Sequence, residues 1–359
     1  KAEKLYGQAI DAASGGQVGR PAGRLASLLE RHASVEVMLR KLEPYVDTGH
    51  PAVLSRLGLA KVALGEHEEA ERYFKQVLKA GSQASVGATA RAQYGMAEAL
   101  FAAIKEYPSP DNLTRVQEFI SLVEVAQQKY IGAARQGSAV YTAVTLSRLA
   151  GMLDHAGDRL EEMKLPASMT AGEKKQVRKA LASRVKAVRQ GAKDALETCG
   201  NQLWASKNAS PVVRKCLNGE SLDAVLAPFD PMEKGKVAAA PSGIEPLRKR
   251  VAANPEDVEA LRALGDAFLK GGNPHAARAI FAKAANKGGG PKLQNLLGIA
   301  RLQTGDVTGA YEAFVNAAGG GSEAGRQNLV TLLKRQGLSE AAKKALERFP
   351  EGEGGGRTL

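Results

Sequence analysis

One spacing recurs three times along this 359-residue chain. Gly58, Gly65, Ala70 and Phe74 carry it first. Gly265, Gly272, Ala277, Phe281 and Ala284 repeat it, as do Gly298, Gly305, Ala310, Phe314 and Ala317. The second Gly follows the first by seven residues, the Ala by twelve and the Phe by sixteen. Self-similarity at a fixed period marks a repeat architecture. The first Gly lets two helices approach closely, and the second breaks the chain between them. The Ala and the Phe, four apart, then share one face of the second helix. The predicted unit is a helix pair, and a stack of such pairs offers a binding surface far more often than a reaction site.

These residues resemble the tetratricopeptide repeat family. The resemblance implies an all-α fold, an α-solenoid of helix hairpins whose first helices line a concave face. Composition agrees with close helix packing, since 44% of the residues are hydrophobic but only 5% are aromatic. No alternating pattern competes as a strand. The organisation expected is an N-terminal region over 1–227, a linker over 228–243, a C-terminal array over 244–350 and a disordered tail over 351–359. The linker segment PFDPMEKGKVAAAPSG combines three prolines with small and charged residues. Two matching repeats begin near Val258 and Pro291. A third begins near Glu323, with Gly337, Ala342 and Phe349 in register and Val330 where Gly is expected. Ala2, Tyr6 and Ala9 have the spacing of a second repeat helix, so an upstream segment is expected before Lys1. After Gly81 the pattern loosens: Tyr94 and Gly95 match the first-helix signature, but that helix runs on to about Glu106, and the next, capped by Asp111 or Asn112, reaches about Tyr130. Two further helical stretches, near Ser138–Ala156 and Ala171–Cys199, lack the signature. They read either as elongated repeats or as a plain helical insertion.

Cys199 and Cys216 flank Trp204 and the turn signal Asn208-Ala-Ser-Pro211. Two antiparallel helices there would bring the thiols together as a disulfide, which places the chain in an oxidising compartment. The alternative is two unrelated buried thiols in a cytosolic protein.

Little here reads as catalysis. His32, His50, His67, His155 and His275 are scattered, and no two share a helix face at metal-ligand spacing. There is no H-E-x-x-H, no G-x-S-x-G and no metal-like CxxC. The glycine runs 288–290 and 319–321 lack a following Lys-Ser/Thr and read as joints between repeats. No enzyme activity, metal or cofactor is expected. The most apolar run, 139–153, is too short for a membrane span and carries Arg148.

Charge is more informative. The formal net charge is +12, and the stretch 173–193 carries eight Lys or Arg against one Glu. On a helix, Lys175, Arg178, Lys179, Lys186, Arg189 and Lys193 fall along one stripe, with Val177, Leu181, Val185 and Val188 on the apolar face. Such a helix can bind an anionic lipid or cell-wall surface, or an acidic protein. Nucleic acid is the weakest option, because no aromatic residues interleave for stacking.

Carrying the resemblance over residue by residue, the exposed positions of the C-terminal first helices form a partner groove. They are Arg262, Asp266 and Lys270, then Lys292, Asn295 and Gln303, then Gln327, Lys334 and Arg335. This mixed, mildly basic lining suits an extended peptide. It departs from the carboxylate-clamp subfamily that grips chaperone C-termini, because Arg262 is followed by Asp266 where that pattern has Lys then Asn. The corresponding N-terminal positions, including Ser55 and Leu59, are small or apolar and are expected to pack on a neighbour. Composition and layout are also similar to periplasmic or lipoprotein repeat components of bacterial envelope machines, such as those of myxobacterial gliding motility. The function expected is a non-catalytic scaffold of a cell-envelope complex serving motility, pilus or secretion machinery. The alternative is a cytoplasmic adaptor whose basic helix, 172–193, binds anionic lipid or nucleic acid.

Overall fold

Breakers and caps cut the chain into helices where side chains can satisfy free backbone amides. The computed structural model describes residues 2–12, 19–108, 112–165, 169–230, 240–351 and 358–359. Among these residues the regular structure is helical, with no β-strand. The helices are α1 (Ala2–Asp11), α2 (Gly19–His32), α3 (Val35–Leu42), α4 (Pro51–Ala63), α5 (His67–Lys79), α6 (Val86–Glu106), α7 (Leu113–Ala134), α8 (Ala139–Glu161) and α9 (Ala171–Ala205). There follow α10 (Pro211–Leu217), α11 (Glu245–Ala253), α12 (Val258–Lys270), α13 (Pro274–Ala285), α14 (Gly290–Gln303), α15 (Val307–Gly319), α16 (Glu323–Arg335) and α17 (Ser339–Arg348). Asn112, Asp257, Asn273, Asp306 and Ser322 each cap a helix by accepting a backbone N–H at 2.9–3.1 Å.

The repeat spacing acts as an interlock. A Cβ added at Gly265 would lie 2.5 Å from the Phe281 ring, and one at Gly298 would lie 2.4 Å from Phe314. Phe74 serves two helices, because a Cβ at Gly58 or at Gly95 would come within 2.4 or 2.1 Å of its ring. The three rings are fully buried, as are Ala70, Ala277 and Ala310. The second glycines, Gly65, Gly272 and Gly305, take φ of 81°, 72° and 77°, the left-handed turn that separates the helices of each pair.

The chain divides into two compact units, Lys1–Gln202 with Lys215–Pro228, and Leu203–Arg214 with Phe229–Leu359. In the first unit α4 pairs with α5 and α6 with α7, while α4, α6 and α8 also contact one another in sequence. In the second, α12·α13, α14·α15 and α16·α17 form the pairs, and α12, α14 and α16 make the inner layer. Over α6 to α8 the irregular stretch therefore keeps the stacking of the regular repeats. Its helices are simply longer, 21 to 23 residues in α6 to α8 against 13 in α4 and α12.

The cysteines form a disulfide between α9 and α10, with Cα atoms 5.9 Å apart. The tip of that hairpin belongs to the second unit. Trp204 lies against Tyr311 and Phe349, at ring-centroid distances of 6.2 and 6.5 Å, and the Tyr311 hydroxyl donates to the Leu203 carbonyl at 2.9 Å. Most of the expected linker, 231–239, and of the expected tail, 352–357, lies outside the described residues. On the linker's flanks, Asp230 accepts from Arg214 and from the Thr308 hydroxyl, at 2.6 and 2.7 Å.

Gly298→Ala would favour an unconstrained helix by about 1 kcal/mol. Here it is expected to destabilise the second unit by about 1–3 kcal/mol, because the Phe314 ring occupies the space. Adding Phe314→Leu should recover part of that loss. Urea unfolding followed by the fluorescence of Trp204, with both single variants and the pair as a cycle, measures it.

Candidate functional site

The inner layer of the first unit is fastened by buried charge. Glu30 on α2 accepts from Arg56 on α4 at 2.9 Å, and from Arg91 on α6 and the Tyr141 hydroxyl on α8 at 3.0 and 2.8 Å. Arg91 also donates to Ser55 at 3.2 Å. Burial alone would raise the Glu30 carboxyl, but Arg91 and Arg56 beside it, with the Tyr141 hydroxyl, hold it below its ordinary value of 4.5. A second cluster joins α6, α7 and α8. Glu98 accepts from Arg148 at 2.8 and 2.6 Å and from the Tyr130 hydroxyl at 2.6 Å. Burial pushes the Tyr94 and Tyr130 hydroxyls well up, so both stay protonated donors. These groups have one signal in the sequence, which is charged or hydroxyl residues interrupting otherwise apolar first helices. Ser55-Arg56 within PAVLSRLGLAKVA is one case, and Arg148 within 139–153 is another.

In the second unit the expected groove residues fall in different surroundings. Arg262 and Lys292 share a cleft of about 530 Å³ whose lining includes Glu259, Leu296 and the glycine runs before α14 and α16. Arg262 is already paired with Glu259 at 2.8 Å, and Lys270 with Asp266 at 2.7 Å. Gln303, Gln327, Lys334 and Arg335 are exposed. Lys334 and Arg335 make no ion pair among the described residues, while Gln327 donates to Glu323 at 2.9 Å. Asn295 departs from expectation. It is 2% exposed, and its amide oxygen accepts from Asn328 of α16 at 2.8 Å. The face places an asparagine pair between successive first helices, where an exposed ligand contact was expected. Asn328 in turn accepts the Leu359 backbone N–H at 2.7 Å.

The basic helix is less uniform than its sequence. Arg189 turns toward α8, where Asp158, Glu161 and Asp154 hold it at 2.5, 3.2 and 3.5 Å. It does not belong to an exposed stripe, because the acidic α8 residues neutralise it. Arg184 likewise pairs with Glu124 of α7. Lys175, Arg178, Lys179, Lys186 and Lys193 remain exposed and make no ion pair among the described residues. Val188, expected on the apolar face, lines an open cleft of about 620 Å³ with Val123 and Val125 of α7 and Leu153 of α8.

Stacked antiparallel helix pairs with a continuous inner layer in each unit define a helical repeat protein. A tetratricopeptide repeat profile matches residues 55–109, 232–292 and 262–324, so these segments are tetratricopeptide repeats. Repeats of this family mediate protein–protein interaction. Similar solved structures include a monomeric mutant of IFIT1 with Gppp-AAAA, at 14% identity and TM-score 0.27, covering 79% of this chain and 66% of that one. A protective antigen of uropathogenic Escherichia coli displaying an SLR fold matches at 15% identity and TM-score 0.26, covering 96% and 78%. The APC/C hetero-tetramer Cut9–Hcn1 matches at 13% identity and TM-score 0.28, covering 97% and 75%. Those superpositions are loose, and the assignment rests on the repeats. A comparison with curated proteins found no match.

Removing the Glu30 charge strands Arg56 and Arg91. Glu30→Gln is expected to cost about 3–5 kcal/mol. Because folding lowers the Glu30 pKa, its contribution is complete above 4.5 and disappears as the pH falls through the folded value. Denaturant titrations of both chains at pH 7 and below 4 should therefore show the gap narrowing in acid.

Proposed function

We propose that the chain is a non-catalytic scaffold that holds an extended, acidic segment of a partner protein on the inner face of the second unit. The observation that carries this reading is the convergence of Arg262 and Lys292 on one cleft. Gln327, Lys334 and Arg335 on the last first-helix are exposed as well. A mixed basic surface of this kind steers acidic segments and leaves the backbone to be recognised by side-chain amides. The contact between the Leu359 N–H and Asn328 supports this, since it is a main-chain group received by that layer. No cofactor enters the reading.

The compartment we propose is the bacterial periplasm or an outer-membrane-associated position, within an envelope complex such as motility, pilus or secretion machinery. The disulfide between Cys199 and Cys216 supports it, because such bonds persist in oxidising compartments. A cytoplasmic adaptor is the competing reading, favoured by the five exposed cations of α9, which would meet an anionic lipid surface or nucleic acid. Thiol counting on protein isolated under alkylating conditions separates the two. No free thiol is expected, and two free thiols per chain would remove the support for the envelope.

For the second-unit face, Arg262→Glu combined with Lys334→Glu should lower partner recovery about tenfold, from roughly 1.4 kcal/mol of lost attraction. Helix content by circular dichroism should be unchanged. Unaltered recovery of every partner from envelope extract would exclude this face.

A further inference from the structure

A segment of the chain itself lies on the inner layer of the first unit, bound almost wholly through its backbone. Residues 220–228 form no helix or strand. The Leu222 N–H donates to the Ser147 hydroxyl at 2.8 Å. One nitrogen of the Arg148 guanidinium donates to two successive carbonyls, those of Leu222 and Asp223, each at 2.8 Å. The Tyr94 hydroxyl donates to the Val225 carbonyl at 2.6 Å. Gly151 faces the segment, and an added Cβ there would sit 3.1 Å from the Ser221 hydroxyl.

The reading groups do not need this segment in order to be held in place. Arg148 is gripped by Glu98 through its other two nitrogens, and Glu98 is itself bonded by Tyr130. The guanidinium is thus fixed with its remaining donor aimed outward, at a geometry suited to consecutive carbonyls. Such preorganisation lowers the cost of binding a chain. The segment contributes one apolar anchor, Leu222 at 4% exposure, whereas Asp223 and Ala224 are exposed. Main-chain contacts with a single buried side chain are the pattern of a bound peptide rather than of a core element.

We propose that Tyr94, Ser147 and Arg148 form a main-chain reading site for an extended peptide, and that residues 221–225 occupy it as an intramolecular pseudo-ligand. A partner segment with an aliphatic residue in the place of Leu222, and any residues at the next two positions, displaces it. The site lies in the first unit and is independent of the second-unit face. Tethering gives the resident segment a high effective concentration, so a free peptide competes poorly until the segment is released.

The test uses the full chain, a Leu222→Asp variant, and a fluorescein-labelled peptide of residues 219–228, GESLDAVLAP. Anisotropy titration should show saturable binding to the variant at least tenfold tighter than to the unaltered chain. A peptide carrying Asp at the position of Leu222 should lose at least tenfold. Equal binding to both chains, or none to either, overturns the proposal. So does loss of helix content in the variant, which would make the segment part of the core. Hydrogen exchange on the unaltered chain gives a second reading. The Leu222 amide should exchange through a local opening, faster than the amides of Val144 and Leu149. Exchange only with global unfolding overturns the proposal as well.

Discussion

A phenyl ring seated on a glycine sets the distance between helices in each regular repeat. The approach is closer than any side chain at the glycine position would allow, and the rest of the layer geometry follows from it. Phe74 shows how far one ring reaches, because Gly58 in its own repeat and Gly95 in the next both close on it. Successive first helices are thereby brought into one layer, where polar groups can be shared between repeats. The Glu30 and Glu98 clusters in the first unit and the Asn295–Asn328 pair in the second are such shared groups.

The two units solve the same problem with different chemistry. In the second, apolar first helices are joined across the inner layer by the Asn295–Asn328 amide pair. In the first, longer helices carry buried arginines whose charge must be met on neighbouring helices. A buried ion pair is weak evidence for net stability, but once present it penalises any register that separates its members. Glu30 touches three helices beyond its own, so it selects one stacking of α2, α4, α6 and α8 among those that an alanine-rich surface would tolerate.

What could be read in advance followed from locality. The Gly-Gly-Ala-Phe spacing is satisfied within one helix pair, so the repeats, their turns and the second-unit inner layer were legible. The disulfide was legible for the same reason, since Cys199 and Cys216 flank one hairpin. The ion clusters join residues 26 to 111 positions apart and leave no periodic trace. Arg148 reads in the sequence only as an obstacle to a membrane span, although its pairing with Glu98 helps join α8 to α6. Charge was misjudged where partners are distant. Arg189 looked like a member of a solvated stripe until Asp154, Asp158 and Glu161 came opposite it. Asn295 looked exposed because nothing local revealed Asn328 across the layer.

The cystine also decides how the chain carries load. Between its ends the backbone passes from the first unit to the second at 202–203 and returns at 214–215. Tension drawn along the chain reaches Cys199 and leaves through Cys216 without entering the residues between them. Trp204 and its neighbours lie in the bridged loop and carry no tension that runs along the backbone. Reduction would put that loop in series and add about 55 Å of slack at full extension.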